Sequence, residues 1–307
     1  IWNAGRFALM SIGEDPVKPV AEIADDLALE DRWILSRVAM ASTEATSGLE
    51  RFRLHEVAEG LYHFFWGDVC DWYLELVKSR LGPDADPATR EAARSTLVAV
   101  LDNAYRLLHP IVPFVTAELW SRLPCPEGQN RPGDLIIAPW PETLEAWRDE
   151  DVERRLGDLQ GLIVEVRRLR KEYGINEGKR IRIYLSGGPK DFVVSVSAQA
   201  AAMEQLCRVD HIVVGTGSGV GANAVMTNGA ELFIPLQGVI DLEHERSRML
   251  DEIRKLEGVL KGAQARLSNE KFVSNAPENV VQKARENASQ LEDQIRKLAA
   301  KLAGLGD

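Results

Sequence analysis

The sequence predicts a mainly α-helical protein in three parts: a helical bundle over residues 1–147, a small α/β domain over 148–238, and an antiparallel coiled-coil hairpin over 239–307. Three observations support this prediction. Apolar residues recur at helical spacing before residue 121, they alternate as in strands after residue 180, and they form heptads in the C-terminal segment. A chain of 307 residues is long enough for two or three domains.

The first part is expected to be a bundle of four or five helices. The segment "DRWILSRVAMASTEATSGLERF" predicts a helix ending near Gly48, and "RLHEVAEGLYHFFWGDVCDWYLELVKSRL" predicts one long helix with an apolar face. The segment "ATREAARSTLVAVLDNAYRLLHPIVPFVTAELWSRL" predicts two helices that separate at Pro110 and Pro113. Proline disrupts a helix interior and suits a first helical turn.

The second part begins after a loop predicted over residues 124–142, which are rich in proline and glycine. The segment "DLQGLIVEVRRLRKEYGI" predicts a helix with a basic stripe, and "VSAQAAAMEQLCRV" predicts one short helix. Strands are predicted at "RIRIYLSG", "HIVVG", "ANAVMT" and "AELFIPL", where apolar and β-branched residues dominate.

The third part has two sets of heptads separated by a turn of roughly ten residues, which predicts two antiparallel helices. Each helix should extend about 35–40 Å at a rise of 1.5 Å per residue. Pro277 is expected in the first turn of the second helix, with Glu278 beside the positive end of the helix dipole. The heptad positions are Leu242, Met249, Ile253, Leu256, Leu260, Ala263 and Leu267, and then Val281, Ala284, Ala288, Leu291, Ile295, Leu298, Leu302 and Leu305.

The formal net charge of −10 is unevenly distributed along the chain. Residues 1–150 carry 14 basic and 25 acidic side chains, residues 151–240 carry 11 and 10, and residues 241–307 carry 12 and 12. This distribution excludes a general polyanion binder, so any contact with nucleic acid must use local groups on an acidic protein.

No segment resembles a secretory signal peptide or a membrane span, and the latter would need about eighteen consecutive apolar residues. Cys70, Cys125 and Cys207 are widely separated and odd in number, which suggests neither a zinc site nor a disulfide framework. We therefore expect a reducing, cytoplasmic compartment. The chain has no initiator methionine, and Ile1 already lies in an apolar pattern, so we expect a fragment of a longer protein.

No pattern indicates a catalytic triad, a phosphate-binding loop or a metal site, so no catalytic or metal-binding residue is assigned. Gly217 to Ala222 fit G-x-G-x-x-A, but strands are predicted afterwards, whereas a dinucleotide-binding loop must open a helix. We favour a flexible hairpin loop over a nucleotide-dependent enzyme. His109, just before Pro110, is interpreted as a packing or capping residue.

Asp68, Asp71 and Glu75 lie near one face of a predicted helix. Nothing supplies a nucleophile or metal ligand beside them. We therefore favour a solvated or ion-paired face over a catalytic carboxylate pair.

Two segments have compositions suited to RNA. "EVRRLRKEYG" places Arg167, Arg168, Arg170 and Lys171 along a helix, where a solvated face and a phosphate-binding patch are equally supported. "IWNAGRF" combines two aromatic side chains with an amide and a guanidinium within two helical turns. Such groups read unstacked RNA bases, although Trp2 and Phe7 also suit a helical core.

The order of the motifs resembles that of a known family. "IWNAGRFALM", "DRWILSRV", "GDVCDWYLELVK" and "LLHPIVPFVTAELW" follow one another as in the anticodon-binding helical domain of class I aminoacyl-tRNA synthetases for aliphatic amino acids. "ELFIPLQGVIDLEHE" and "LSNEKFVSNAPENVVQKARE" resemble the C-terminal arm of the valyl-tRNA synthetase family. The resemblance covers nearly the whole chain. The ATP-binding signatures of class I, H-I-G-H-like and K-M-S-K-S-like, do not occur, so this part is not expected to activate valine alone.

The resemblance implies that the bundle binds the anticodon loop of a valine tRNA through Asn3, Arg6 and Lys18. It also implies that the coiled coil braces the tRNA elbow. The residues assigned to this second contact are Lys255, Lys261, Arg266, Lys271, Phe272, Lys283 and Arg285. For Phe272, packing across the hairpin tip is the alternative to stacking on an exposed base.

The implied partners are tRNA and the catalytic and editing domains of the parent chain, without a membrane. ATP and Mg are implied for the parent enzyme, a valine–tRNA ligase, and no cofactor is implied for this part. We expect a monomer. The alternative is a coiled-coil protein-interaction module without an RNA-binding role, whose heptads pair between chains.

Overall fold

The computed structural model describes residues 1–131, 133–141 and 145–305, apart from the side chains of Lys271 and Asn275. The chain divides into two compact units, Ile1–Gln160 and Gly161–Asp307. Helices dominate, a small four-stranded sheet lies in the second unit, and a helical hairpin ends the chain. The mainly α fold predicted from the sequence is confirmed.

The first unit is a helical bundle. Several of its helices contribute large buried side chains to the core. Pro113 opens a helix as predicted, because an N-terminal helical position needs no backbone N–H donor. Short 3-10 turns occur at Val20–Asp26, Leu135–Ile137 and Glu145–Trp147, so the predicted loop over 124–142 contains one turn of helix. The helices are α1 (Trp2–Ile12), α2 (Leu29–Glu50), α3 (Leu54–His63), α4 (Leu74–Leu81), α5 (Pro87–Leu108), α6 (Pro113–Ser121) and α7 (Glu150–Glu172), of which α7 continues into the second unit.

The long helix predicted over residues 53–81 is interrupted by a π-helical segment, Phe64–Tyr73, between α3 and α4. A single continuous α-helix was therefore the wrong prediction. A π turn contains more residues than an α turn, so side chains along the segment point in other directions than they would in a continuous α-helix. Phe65, Val69 and Tyr73 of this segment are buried in the core.

A buried ionic network ties the start of α2 to the π segment and α4. The Arg80 guanidinium lies 2.9 Å from a Glu30 carboxylate oxygen and 2.6 Å from one of Asp31. The Tyr73 hydroxyl donates a hydrogen bond to Asp31 at 2.9 Å. Burial raises the pKa of Asp31, and Arg80 opposes that rise. One guanidinium thus neutralises part of the charge of two carboxylates that are almost completely buried.

The second unit is built on a sheet with the strand order β2-β1-β4-β3. β1 is parallel to β2 and antiparallel to β4, and β3 is antiparallel to β4. All four predicted strands are confirmed, whereas the single helix predicted before β2 is two short helices. The elements are β1 (Ile181–Gly187), α8 (Lys190–Ala198), α9 (Ala200–Cys207), β2 (Val209–Val214), β3 (Gly221–Val225) and β4 (Ala230–Pro235).

The C-terminal hairpin consists of α10 (Leu242–Leu267) and α12 (Glu278–Gly304), joined through a short helix α11 (Glu270–Asn275). Every predicted heptad position is buried or half-buried, while most intervening positions are exposed, so the heptads form the seam between α10 and α12. At 26 and 27 residues, the two helices extend about 40 Å. Pro277 is the N-cap residue of α12, one position before the predicted first turn.

Candidate nucleic-acid interface

Helix α1 presents most of the "IWNAGRF" motif to solvent. Trp2 is 48% exposed, and Asn3 and Arg6 are also exposed. Gly5 faces the bundle, where a Cβ atom would lie 2.7 Å from the Tyr105 hydroxyl. The glycine therefore lets α1 lie close against α5 and α6, while Trp2, Asn3 and Arg6 stay exposed. The suggestion that Trp2 is a core residue is not supported.

Trp2 and Arg6 line an open groove of about 900 Å³ together with Met10, Arg122 and Pro124. Arg122 forms an ion pair with Glu118. No ion pair of Arg6 is found in the described part of the chain. The groove, which Glu14 also lines, thus combines an exposed indole with a guanidinium that has no ion pair among the described residues. These two groups can stack on and donate to an RNA base.

Phe7 lies beside this face and is 36% exposed. The ammonium group of Lys78 lies 5.4 Å from the centroid of its ring, within the range of a cation–π contact. Phe7 is therefore partly engaged with the bundle and is less available to a ligand than Trp2.

Lys18 lines a different depression of the first unit, of about 790 Å³. Its backbone N–H donates to Glu91 at 3.0 Å, which fixes the backbone and leaves the ammonium group exposed. Ion pairs hold the four arginines of this depression, Arg32, Arg106, Arg131 and Arg148, on nearby carboxylates. Lys18 has no such pair among the described residues. The structure thus places Arg6 and Lys18 in separate depressions.

The basic side chains of the hairpin fall into two classes. Arg248, Arg254, Arg296 and Lys301 form ion pairs with carboxylates of the same unit. The second class is exposed and has no ion pair among the described residues. It includes Lys255, Lys261, Lys283 and Arg285, which the sequence assigned to phosphate contacts, and also Lys297, which the sequence did not single out.

The hairpin tip holds the two remaining described candidates. The Arg266 guanidinium lies 4.3 Å from the centroid of the Phe272 ring, a cation–π contact. Phe272 is half-buried, which favours packing at the tip over a freely available stacking surface. The side chain of Lys271 lies outside the described residues, so its candidate role stays a prediction.

The basic stripe of α7 is structural. Arg170 is 7% exposed, and its guanidinium donates to four backbone carbonyls, those of Cys207, Asn176, Glu177 and Lys179. Burial lowers the pKa of this guanidinium. The guanidinium holds the loop before β1 and the end of α9 to α7, so neither suggested role, a solvated face or a phosphate patch, applies to it.

Its neighbours are also engaged. Arg167 donates to the Leu206 carbonyl at 3.2 Å, and Arg168 pairs with Glu165 at 2.8 Å. Lys171 is exposed. The stripe therefore supplies little free positive charge.

Other side chains that suggested chemistry have structural partners. Asp68 pairs with Arg37 at 2.8 Å and Glu75 with Lys78 at 2.5 Å, which confirms an ion-paired face. His109 is the C-cap residue of α5, and its Nδ1 lies 2.9 Å from the Thr116 hydroxyl of α6, which confirms a capping role.

The glycine-rich segment after β2 does not open a helix, since β3 follows it. The hairpin-loop prediction was wrong as well, because β2 and β3 are the two outer strands of the sheet and are not neighbours. The segment instead passes over Phe233. A Cβ atom on Gly217 would lie 1.9 Å from that ring, and one on Gly221 would lie 2.3 Å from it. The glycines are therefore required for this crossing.

Among the described residues, no three histidine, cysteine or acidic side chains gather where they could hold a metal ion. No described helix is long and apolar enough to cross a membrane.

Comparison with known proteins adds independent findings. The family model "Anticodon-binding domain of tRNA ligase" matches residues 31–185, and the model "Valyl tRNA synthetase tRNA binding arm" matches residues 241–306. The second match coincides with the hairpin, and the first covers most of the bundle.

Several valine–tRNA ligases match nearly the whole chain. The enzyme of Desulfotalea psychrophila is 35% identical over 302 residues, which is 97% of this chain and 33% of the relative. That of Enterococcus faecalis is 36% identical over 93% of the chain and 32% of its own length, and that of Geobacillus stearothermophilus is 32% identical over 99% and 34%. The chain therefore spans about a third of the length of the curated relatives it matches.

The two family models and the relatives agree with one another, and together they account for the bundle and the hairpin in their order along the chain. The chain belongs to the valine–tRNA ligase family and contains the anticodon-binding domain and the tRNA-binding arm of that family.

Proposed function

We propose that this region binds a valine tRNA at two places, recognising the anticodon loop with the helical bundle and bracing the tRNA elbow with the hairpin. The observation that carries the proposal is the exposure of Trp2, Asn3 and Arg6 on α1, a helix that Gly5 holds close against the bundle. Lys18 is a further candidate for the anticodon loop, from its own depression.

The role of the hairpin is supported by its uncompensated cations. A phosphate contact needs a cation that is not already neutralised, and four of the candidate side chains are exposed without a described ion pair. Two separate contacts on one tRNA raise the effective concentration at the second contact, so an acidic protein can bind RNA without a uniformly basic surface.

The parent protein would attach valine to its tRNA. ATP and Mg would act in the catalytic domain, which together with an editing domain would precede this region. We place the protein in the cytoplasm, as a monomer. These statements are inferred from the family. The relatives are about three times as long as this chain, so the catalytic part of the protein would lie outside it.

The test is the affinity of the chain for valine tRNA and for the same tRNA with altered anticodon bases. We expect weaker binding of the altered tRNA. Equal affinities would refute the anticodon role. Removal of residues 242–307 should lower both affinities by the same factor, since phosphate contacts at the elbow carry no information about the anticodon.

The alternative function, a coiled-coil interaction module, has less support. The seam of α10 packs against α12 of the same chain, so these heptads are already paired. Sedimentation decides between the two functions. A mass that stays monomeric at all concentrations is expected, and a concentration-dependent dimer would favour the alternative.

A further inference from the structure

The sheet of the second unit has one open face that neither family model fully covers. The first match ends at residue 185 and the second begins at residue 241. Along β1, Ile181, Ile183 and Leu185 are buried, whereas the alternating residues Arg182, Tyr184 and Ser186 lie on the other face. This alternation is visible in the sequence, but the residues that share the open face with β1 are identified only by the pairing of the neighbouring strands.

A small pocket of about 270 Å³ lies on this open face. Phe233 forms part of its wall, with Tyr184 edge-on to it at a centroid distance of 5.9 Å. The glycine-rich segment crosses above Phe233 and lines one side with Gly215 and Gly217. The pocket is therefore a built feature that depends on these glycines.

Ser186, Thr216, Asn223 and Glu231 contribute polar side chains to the lining of the pocket. Ser186 donates a hydrogen bond to one Glu231 carboxylate oxygen at 3.3 Å. No cationic partner of Glu231 is found among the described residues, and the Asn223 amide is exposed nearby. A carboxylate and an amide beside an aromatic ring can accept from and donate to the edge of a planar heterocycle.

Positive charge lies on the same face, beyond the pocket. Arg182 is two residues from Tyr184, roughly 6.6 Å along the strand, and has no ion pair among the described residues. Its partner across the parallel pair is His211. A phosphate attached to a nucleoside whose base contacts Tyr184 can reach this guanidinium.

We propose that this pocket binds a nucleobase, preferably guanine, with Tyr184 against the face of the ring, Glu231 accepting from adjacent N–H groups and Arg182 contacting the phosphate. Guanine fits because its N1–H and exocyclic amino group offer two neighbouring donors to one carboxylate. Single-stranded RNA is commonly bound on open sheet faces in this way, by stacking on aromatic side chains.

The source of the base is either an unpaired residue of the bound tRNA or a free guanine nucleotide. The first source rests on the proposed function, and the second does not. Titration with GMP, AMP, CMP and UMP therefore tests the pocket by itself, followed through the backbone amide resonances of residues 215–217. We expect GMP to shift these resonances and to bind at least tenfold more tightly than UMP.

Variants assign the contacts. Tyr184→Leu should weaken GMP binding at least fivefold, and Tyr184→Phe should retain it because the ring is kept. Glu231→Gln should remove the preference for GMP over UMP. Tyr62→Leu, which changes an exposed tyrosine of the first unit, is the matched control and should bind GMP as the unchanged chain does.

Affinity for valine tRNA then distinguishes the sources. A decrease in Tyr184→Leu but not in Tyr184→Phe identifies an RNA base, whereas GMP binding with unchanged tRNA affinity identifies a free nucleotide. GMP binding by a chain that binds no tRNA would refute the proposed function and leave the pocket standing. The proposal is overturned if no monophosphate shifts these resonances and Tyr184→Leu leaves tRNA affinity unchanged; that pair of results would point to a protein surface as the occupant of this face.

Discussion

Gly5 lies against Tyr105 so closely that a methyl group on its α-carbon would come within 2.7 Å of the tyrosine hydroxyl. The same methyl group would lie 2.7 Å from a terminal carbon of Leu119. Tyr105 and Leu119 are both almost completely buried, so neither can move away freely. This contact sets the position of α1 and, with it, the position of Asn3 and Arg6.

Gly5→Ala should therefore destabilise the first unit by about 1–3 kcal/mol, the usual cost of overpacking a dense core. It should also weaken tRNA binding, because α1 must shift outward to accept the methyl group. Urea unfolding and tRNA titration measure the two effects. Gly67→Ala is a suitable control, since a Cβ atom there meets nothing within 4 Å. Unchanged stability of Gly5→Ala would contradict the close packing.

Arg80→Met should destabilise the first unit by about 3–5 kcal/mol at pH 7, because it leaves the Glu30 and Asp31 carboxylates buried without their cation. The pKa of Asp31 is already raised by burial, and loss of Arg80 should raise it further. Because a raised folded-state pKa favours the folded state at low pH, the difference in stability between the variant and the unchanged chain should shrink as pH falls towards 4. Urea unfolding at pH 7 and pH 5 measures this. A difference that grows on acidification would contradict the network.

The helices and strands of this chain were largely predictable, because their signals are local. The heptads of α10 and α12 show this, as do the alternation in β1 and the prolines between α5 and α6. The π segment was not predictable, since its apolar residues fit an α-helical pattern nearly as well. The path of the glycine-rich segment was missed because it depends on strand order, which a single sequence does not reveal.

Among the hairpin candidates, exposure follows from the heptads, since Lys255 lies between heptad positions and is exposed. Ion pairing could not be predicted from the sequence. Arg170, by contrast, is adjacent in sequence to exposed basic residues, yet it is buried on four carbonyl groups contributed by a loop and by α9. Only the tertiary structure distinguishes a cationic side chain that is available to bind phosphate from one that is already bound to carboxylate or carbonyl groups of the protein.

The unpaired cations of the hairpin should determine the salt dependence of tRNA binding. Replacing Lys255, Lys261 and Lys283 together by alanine should reduce the slope of log K against log salt by about 2, since each phosphate contact contributes roughly 0.7–0.9. Replacing Arg254 and Arg296 should change the slope less, because both are paired with aspartates on their own helices. Equal slopes in all three proteins would exclude the hairpin from the phosphate contacts.

The three cysteines should react at different rates with a disulfide reagent at pH 8. Burial raises the pKa of the Cys70 and Cys207 thiols to about 11, so very little of the reactive thiolate is present. Cys125 is half-exposed and should react first. Colorimetric counting of thiols should give one rapid equivalent in the native chain and three after unfolding. Rapid reaction of Cys207 in the native chain would contradict its burial.

The most direct test of anticodon recognition is a thermodynamic cycle. It compares the unchanged chain and Arg6→Ala, each binding valine tRNA and the same tRNA with altered anticodon bases. We predict that the unchanged chain discriminates between the two tRNAs and that Arg6→Ala loses most of this discrimination. Arg122→Ala, in the same groove but paired with Glu118, should retain it. If Arg6→Ala weakens both tRNAs by the same factor and keeps the full discrimination, Arg6 does not read the anticodon and the account of the α1 face is wrong.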